Sequence, residues 1–187
     1  MKNLIIICIL AAIFGQIRSA AITNHSCSSI QVATVVVNVS AISGNYFGCV
    51  DSPNKPPASK QCISLNLEPI SSNSWNSRLF SISNETGKRE SFAYEATIKN
   101  QEIELKDNSL NSTMPRVTFT LLDTNNDYLI YLGCNDEIKN GWISYLAKTQ
   151  DLCSTYRYKL EEAIDKYGLK AIPLVPVNHD NCGSYEV

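Results

Sequence analysis

The chain has 187 residues, 44% of them hydrophobic and 18% charged, with a formal net charge of −2. That length suits one domain with a sizeable core. The mildly acidic balance carries no basic stripe, so nucleic acid and anionic membrane surfaces are not expected partners.

Residues 1–21 read as a cleaved secretory signal. Lys2 gives a positive start, Leu4 to Phe14 is an almost unbroken apolar run, and Ser19 and Ala21 are small residues where a signal peptidase needs them. The run falls short of the roughly 20 residues a bilayer-spanning helix needs, and no second stretch approaches that length. No integral membrane segment is expected, and residues 22–187 form the expected secreted, extracellular domain. Removing Lys2 and Arg18 with the signal takes the net charge from −2 to −4. Cys8 leaves too, and Cys27, Cys49, Cys62, Cys134, Cys153 and Cys182 remain. An even count in an oxidising compartment reads as three disulfides, which spacing alone does not pair. Asn24, Asn38, Asn84 and Asn111 each open a glycosylation sequon. Asn84 and Asn111 fall in polar turns and are the better candidates; Asn38 lies close to the first strand.

From Gly44 to Lys148 short alternating runs are divided by polar turns, the pattern of an antiparallel all-β meander. The expected strands are Tyr46 to Asp51, Cys62 to Glu68, Arg78 to Ser83, Ser91 to Lys99, Glu102 to Lys106, Arg116 to Leu122, Tyr128 to Cys134 and Trp142 to Lys148. The last two are apolar on both faces and need a second layer outside. The following segment can supply it. Ser154 or Thr155 is the expected N-cap. Leu160, Ala163, Ile164 and Tyr167 recur at helical spacing, and Gly168 stands where a C-terminal cap belongs. The tail beyond, with Pro173 and Pro176, is expected to be extended and tied down by Cys182.

Eight antiparallel strands leave two exposed edges unless the sheet closes. The expected fold is therefore an eight-stranded up-and-down β-barrel with one C-terminal helix packed outside. A barrel of that size has room for one small ligand. Alternation sends Val50, Ile63, Leu65, Leu67, Phe80, Phe92, Tyr94, Ile103, Leu105, Val117 and Phe119 inward. Tyr94 and Tyr131 are candidate polar handles. Loops from Pro53 to Lys60 and from Ser71 to Asn76, with Trp75, are expected at the open end.

The order of motifs resembles the lipocalin family, in particular arthropod lipocalins of the apolipoprotein D and bilin-binding type. Asn38 to Phe47, with Gly44 and Tyr46, resembles the opening motif, Tyr46 standing where tryptophan is usual. Leu122 to Cys134 resembles the second motif. Trp142 to Lys148 resembles the third, with Lys148 in place of arginine. Leu174 to Cys182 resembles the end segment. The resemblance implies that Gly44, Tyr46 and Lys148 close the barrel, with Lys148 over the Tyr46 ring as a cation–π contact. It implies disulfides Cys27–Cys134 and Cys62–Cys182, leaving Cys49 for Cys153. Cys49 has opposite parity to Tyr46 and points toward the start of the helix.

The resemblance also implies extracellular transport of a small lipophilic molecule: a pigment such as biliverdin, a retinoid, a sterol or a fatty acid. The alternative is a salivary-type scavenger of amines or eicosanoids. Amine capture wants inward carboxylates, and Glu68, Glu95, Glu102 and Glu104 have outward parity. A cavity-thiol enzyme is disfavoured because every mature cysteine can be paired. No catalytic, cofactor or metal site is expected: the two histidines, His25 and His179, lie in terminal segments. A filled barrel with a structural role is the remaining reading, and Gly48 and Ala96 leave room against it.

Overall fold

The computed structural model describes residues 38–53, 60–99, 102–107, 117–135 and 140–183. The Asn38 carboxamide oxygen accepts the Ser40 N–H at 3.1 Å and caps a short 3-10 turn, Val39–Ile42. Gly44 then enters the first strand at φ +109°, a backbone conformation that side chains disfavour. Eight strands follow: β1 (Gly44–Asp51), β2 (Lys60–Pro69), β3 (Ser74–Ser83), β4 (Arg89–Lys99), β5 (Glu102–Asp107), β6 (Val117–Thr124), β7 (Tyr128–Asn135) and β8 (Asn140–Ala147). Each pairs antiparallel with the next, and β1 pairs with both β2 and β8, so the sheet closes into a barrel.

The outer face of β6, β7, β8 and the end of β1 is covered. Val50, Leu122, Ile130, Leu132, Ile143, Tyr145 and Ala147 pack there with Leu160, Ala163, Leu169 and Ile172. The covering layer comes in two helical pieces rather than one. Helix α1 (Gln150–Thr155) is capped by Thr149, five or six residues earlier than the expected Ser154 or Thr155, and α2 (Arg157–Lys166) follows a break at Tyr156. The Tyr145 hydroxyl donates to the Leu152 and Cys153 carbonyls, both 3.1 Å away, and holds α1 on the barrel. Gly168, at φ +67°, ends α2. Leu169 N–H reaches the Ile164 carbonyl at 2.9 Å while the Leu169 side chain enters the core.

The tail returns to the barrel as a stitch. β1 and β2 are in register only from Gly44↔Leu67 to Phe47↔Ser64. Beyond that point β9 (Val175–Pro176) pairs with Val50 and Asp51. Val177 N–H donates to the Cys49 carbonyl at 3.1 Å, and Cys62 N–H donates to the Asn178 carbonyl at 2.8 Å. The tail thus satisfies backbone groups of β1 and β2 where they part. His179 Nε2 lies 2.6 Å from the Gly48 carbonyl oxygen. Gly48 makes the close approach possible: a Cβ there would lie 2.9 Å from Ile63 Cβ and 3.2 Å from Val177 Cγ2.

Disulfides join Cys62 to Cys182 and Cys49 to Cys153, two of the three pairs the sequence resemblance implies. Cys134 is disulfide-bonded as well. Its expected partner, Cys27, lies outside the described residues, as do the expected signal, Asn24, Asn111 and the segment 54–59.

Replacing both Cys62 and Cys182 by serine should lower stability by about 2–4 kcal/mol. It should also open residues 170–183 to limited proteolysis. A tail that stays protected would show that backbone pairing alone holds the stitch.

Candidate functional site

The barrel interior has two levels. At the closed end Val39, Ile42, Tyr46, Leu67, Trp75, Ala96, Leu121, Leu129 and Leu146 form one packed cluster. Tyr46 is fully buried, and its hydroxyl lies 3.0 Å from the Ile42 carbonyl and 3.2 Å from that of Asn126. Lys148 Nζ stands 5.7 Å from the centre of the Tyr46 ring. Burial, reinforced by the Asp127 charge, pushes the Tyr46 hydroxyl up to about 12. Gly44, Tyr46 and Lys148 therefore meet at one end, and Leu67 belongs to the floor of the interior. Trp75 sits in this floor too, so the loop before β3 is at the closed end, not at the mouth.

Above the floor the register decides what faces inward. Ala96 is opposite Leu105, and Ile98 opposite Ile103. Ile103 is opposite Phe119, and Leu121 opposite Tyr131. Leu65, Ile103, Leu105 and Tyr131 pack against the floor cluster. Phe92 and Tyr94 share the face of Ala96, with near-parallel rings 6.5 Å apart. Val117 shares the face of Phe119. The Phe119 ring meets Tyr131 at 5.6 Å and Trp142 at 6.0 Å, both edge to face. Ile63, buried, shares the face of Leu65.

Two expected lining residues face the other way. Val50 packs under the helices because a β-bulge lies between Gly48 and Val50. The extra residue, Cys49, shifts the alternation by one. Phe80 is also outward. Its partners are Ser64 and Ser91, whereas Leu79 is opposite Leu65 and Phe92 and takes the inward place. In that strand the alternation Phe80, Ile82 marks the outer face of the barrel.

The same bulge turns Asp51 inward, a position the sequence pattern did not reveal. Asp51 is opposite Ser144, whose hydroxyl donates to Asp51 Oδ1 at 2.6 Å. The Ser52 N–H donates to the same oxygen at 3.1 Å, and Asp51 is 8% exposed. Glu68, Glu95 and Glu104 keep outward register, while Glu90 faces inward near the mouth and forms an ion pair with Lys60. Lys60 Nζ also lies 5.7 Å from the centre of the Phe92 ring.

The two walls differ in packing. Trp142, Ser144 and Asp51 are buried. Along β4 to β7, Phe92, Tyr94, Ile103, Leu105, Val117, Phe119 and Tyr131 face inward yet keep partial exposure. Space that solvent reaches therefore lies against an apolar, aromatic wall. Among the described residues no cluster of metal-ligating side chains occurs, and no helix is long and apolar enough to cross a membrane.

A closed eight-stranded antiparallel barrel with a packed aromatic floor, an outer helix and a returning tail is the lipocalin architecture. Solved structures place the chain in that class. Insecticyanin of the tobacco hornworm Manduca sexta superposes with a TM-score of 0.65 at 13% identity, over 81% of this chain and 86% of its own. Apocrustacyanin A1 of lobster gives 0.60 at 11%, over 79% and 89%. The amine-binding protein of Rhodnius prolixus, solved with tryptamine, gives 0.60 at 10%, over 79% and 85%. These neighbours are lipocalins, and this chain has their fold. No family model and no curated protein matches the sequence.

The tyrosines predict a pH limit. Tyr46 and the outer Tyr145 are both raised to about 12, chiefly by burial, and Tyr128 is raised by burial and its hydrogen bond to Asp123. An acid whose folded pKa is raised stabilises the fold below its unfolded pKa, here 10.0, and loses that contribution as pH rises toward the folded value. Denaturation midpoints should therefore fall between about pH 10 and pH 12, and Tyr46→Phe should flatten part of that fall. An unchanged slope in the variant would remove Tyr46 from the account.

Proposed function

We propose that this protein is a secreted, non-enzymatic carrier that binds a small lipophilic molecule in the upper barrel. The observation that carries this reading is the partly exposed inward wall of Phe92, Tyr94, Ile103, Leu105, Val117 and Phe119. An apolar concave surface with a few polar groups is the usual character of a small-molecule site. Lipocalin neighbours support small-ligand binding in general. Export through the signal at residues 1–21 agrees with the disulfides, which form in oxidising compartments. Glycans at Asn84 and Asn38, both exposed, and at Asn24 and Asn111 belong to the same reading. The thiol-enzyme alternative loses support because all five cysteines among the described residues are disulfide-bonded.

Native mass spectrometry of the protein from its source should retain a small molecule. Leu105→Trp should fill the space beside Ala96 and weaken binding of a lipophilic probe by about tenfold or more, roughly the 1.4 kcal/mol that steric crowding readily costs. A barrel that binds no member of a lipophilic panel would overturn the reading.

Asp51 favours a second reading, capture of an amine. Asp51, a buried inward carboxylate on the strand next to Trp142, offers charge, and the Trp142, Phe119 and Tyr131 cluster offers ring faces, to an aryl-ammonium ion. One structural neighbour was solved with tryptamine. Tryptamine titration of wild type and Asp51→Asn separates the readings. Amine capture predicts a loss of about tenfold or more in the variant, with neutral lipophile binding retained. Equal tryptamine affinities would sink it.

A further inference from the structure

Two buried polar groups inside the barrel, one on β8 and one on β3, stand outside the network of hydrogen bonds. Trp142 Nε1 and Ser81 Oγ are sealed from solvent and meet no hydrogen-bond partner among the described residues. The residues are 3% and 4% exposed. A buried donor left unpaired is costly, and native folds retain few such groups. Both face the interior. Trp142 shares the face of Ser144 and Leu146, and Ser81 that of Leu79 and Ser77. Ser64 Oγ is also unpartnered, but its register with Phe47 and Phe80 places it on the outer face.

The indole is held in place by a specific arrangement. Trp142 is opposite Gly133 on β7. A Cβ at Gly133 would lie 2.3 Å from Trp142 Cε2 and 2.5 Å from Nε1, so only glycine lets the ring rest on that strand. Phe119 then meets the indole edge to face from β6. The ring rests on Gly133, and its one polar atom is a buried donor with no acceptor capacity.

We propose that the carried ligand has a neutral oxygen acceptor, a carbonyl or hydroxyl oxygen, that takes the Trp142 indole N–H. This deepens the carrier reading and rests on it. A pure hydrocarbon would leave the donor unpaired. A carboxylate would be repelled by Asp51, which faces the interior one strand away from Trp142 and opposite Ser144. Phe119, partly exposed and packed on the indole, is the side chain that gives way as the ligand seats.

Benzylacetone and n-butylbenzene, which differ by one carbonyl oxygen, test the proposal on the full mature protein. The chain has two tryptophans, so two indole N–H signals are readable by NMR. The Trp142 signal should move downfield with benzylacetone and not with n-butylbenzene. The Trp75 signal, in the packed floor, reports any general change. Trp142→Phe should weaken benzylacetone about tenfold, the fold-change of one such hydrogen bond, relative to n-butylbenzene. Equal effects on both probes, or a Trp142 signal indifferent to the carbonyl, would overturn the proposal while leaving the carrier reading intact. Wild-type protein that binds neither probe would remove both. If the variant does not fold, the wild-type indole shift alone decides.

Discussion

The eight residues of β1 are shared among three partners, and the rest of the molecule follows from that division. A sheet without edges requires its first and last strands to meet. β1 gives its first half to β2, its second half, from Phe47 to Asp51, to β8 and its last two residues also to the returning tail. One extra residue, Cys49, reconciles these claims. The bulge keeps Val50 on the outer side with Cys49 and turns Asp51 into the barrel. A core contact under the helices and an interior carboxylate therefore arise from one local shift in pleat, next to the Cys49 that anchors α1.

That shift also marks what the sequence could and could not say. Strong alternation with a turn at each end made the strands legible, and Phe92, Tyr94, Ile103, Leu105 and Phe119 fall on the face their parity assigned. Parity fails where the pleat is broken or ambiguous. Nothing in Gly48-Cys49-Val50 announces a bulge, so Val50 and Asp51 exchanged faces. In β3, both Leu79 and Phe80 are apolar, so composition does not choose between them; only the register with Leu65 does. The double-sided β7 and β8 correctly implied an outer layer, but the break at Tyr156 depends on tertiary contact. Its hydroxyl is 3.0 Å from Asp127 Oδ2 and its ring packs on Tyr128.

The two levels of the interior divide stability from recognition. The floor is apolar and closed, with the buried Tyr46 hydroxyl placed against backbone carbonyls. The upper wall tolerates an unpaired indole N–H, an interior carboxylate and an ion pair at the rim. Such groups are costly in a core built only for packing. Their concentration in one half of the barrel is where sequence consistency gives way to function.

The stitch between β1 and β2 sets an order of events during synthesis. Its residues, Val175 to Cys182, come near the end of the chain, yet they complete hydrogen bonds of the first strand. A ribosome releases the chain from its N-terminus, so β1 must wait for residues made more than a hundred positions later before its backbone is satisfied. The Cys62–Cys182 bond spans 120 residues and is correspondingly a late event. Until then the gap between β1 and β2 is an open strand edge, the kind of surface on which wrong pairing starts.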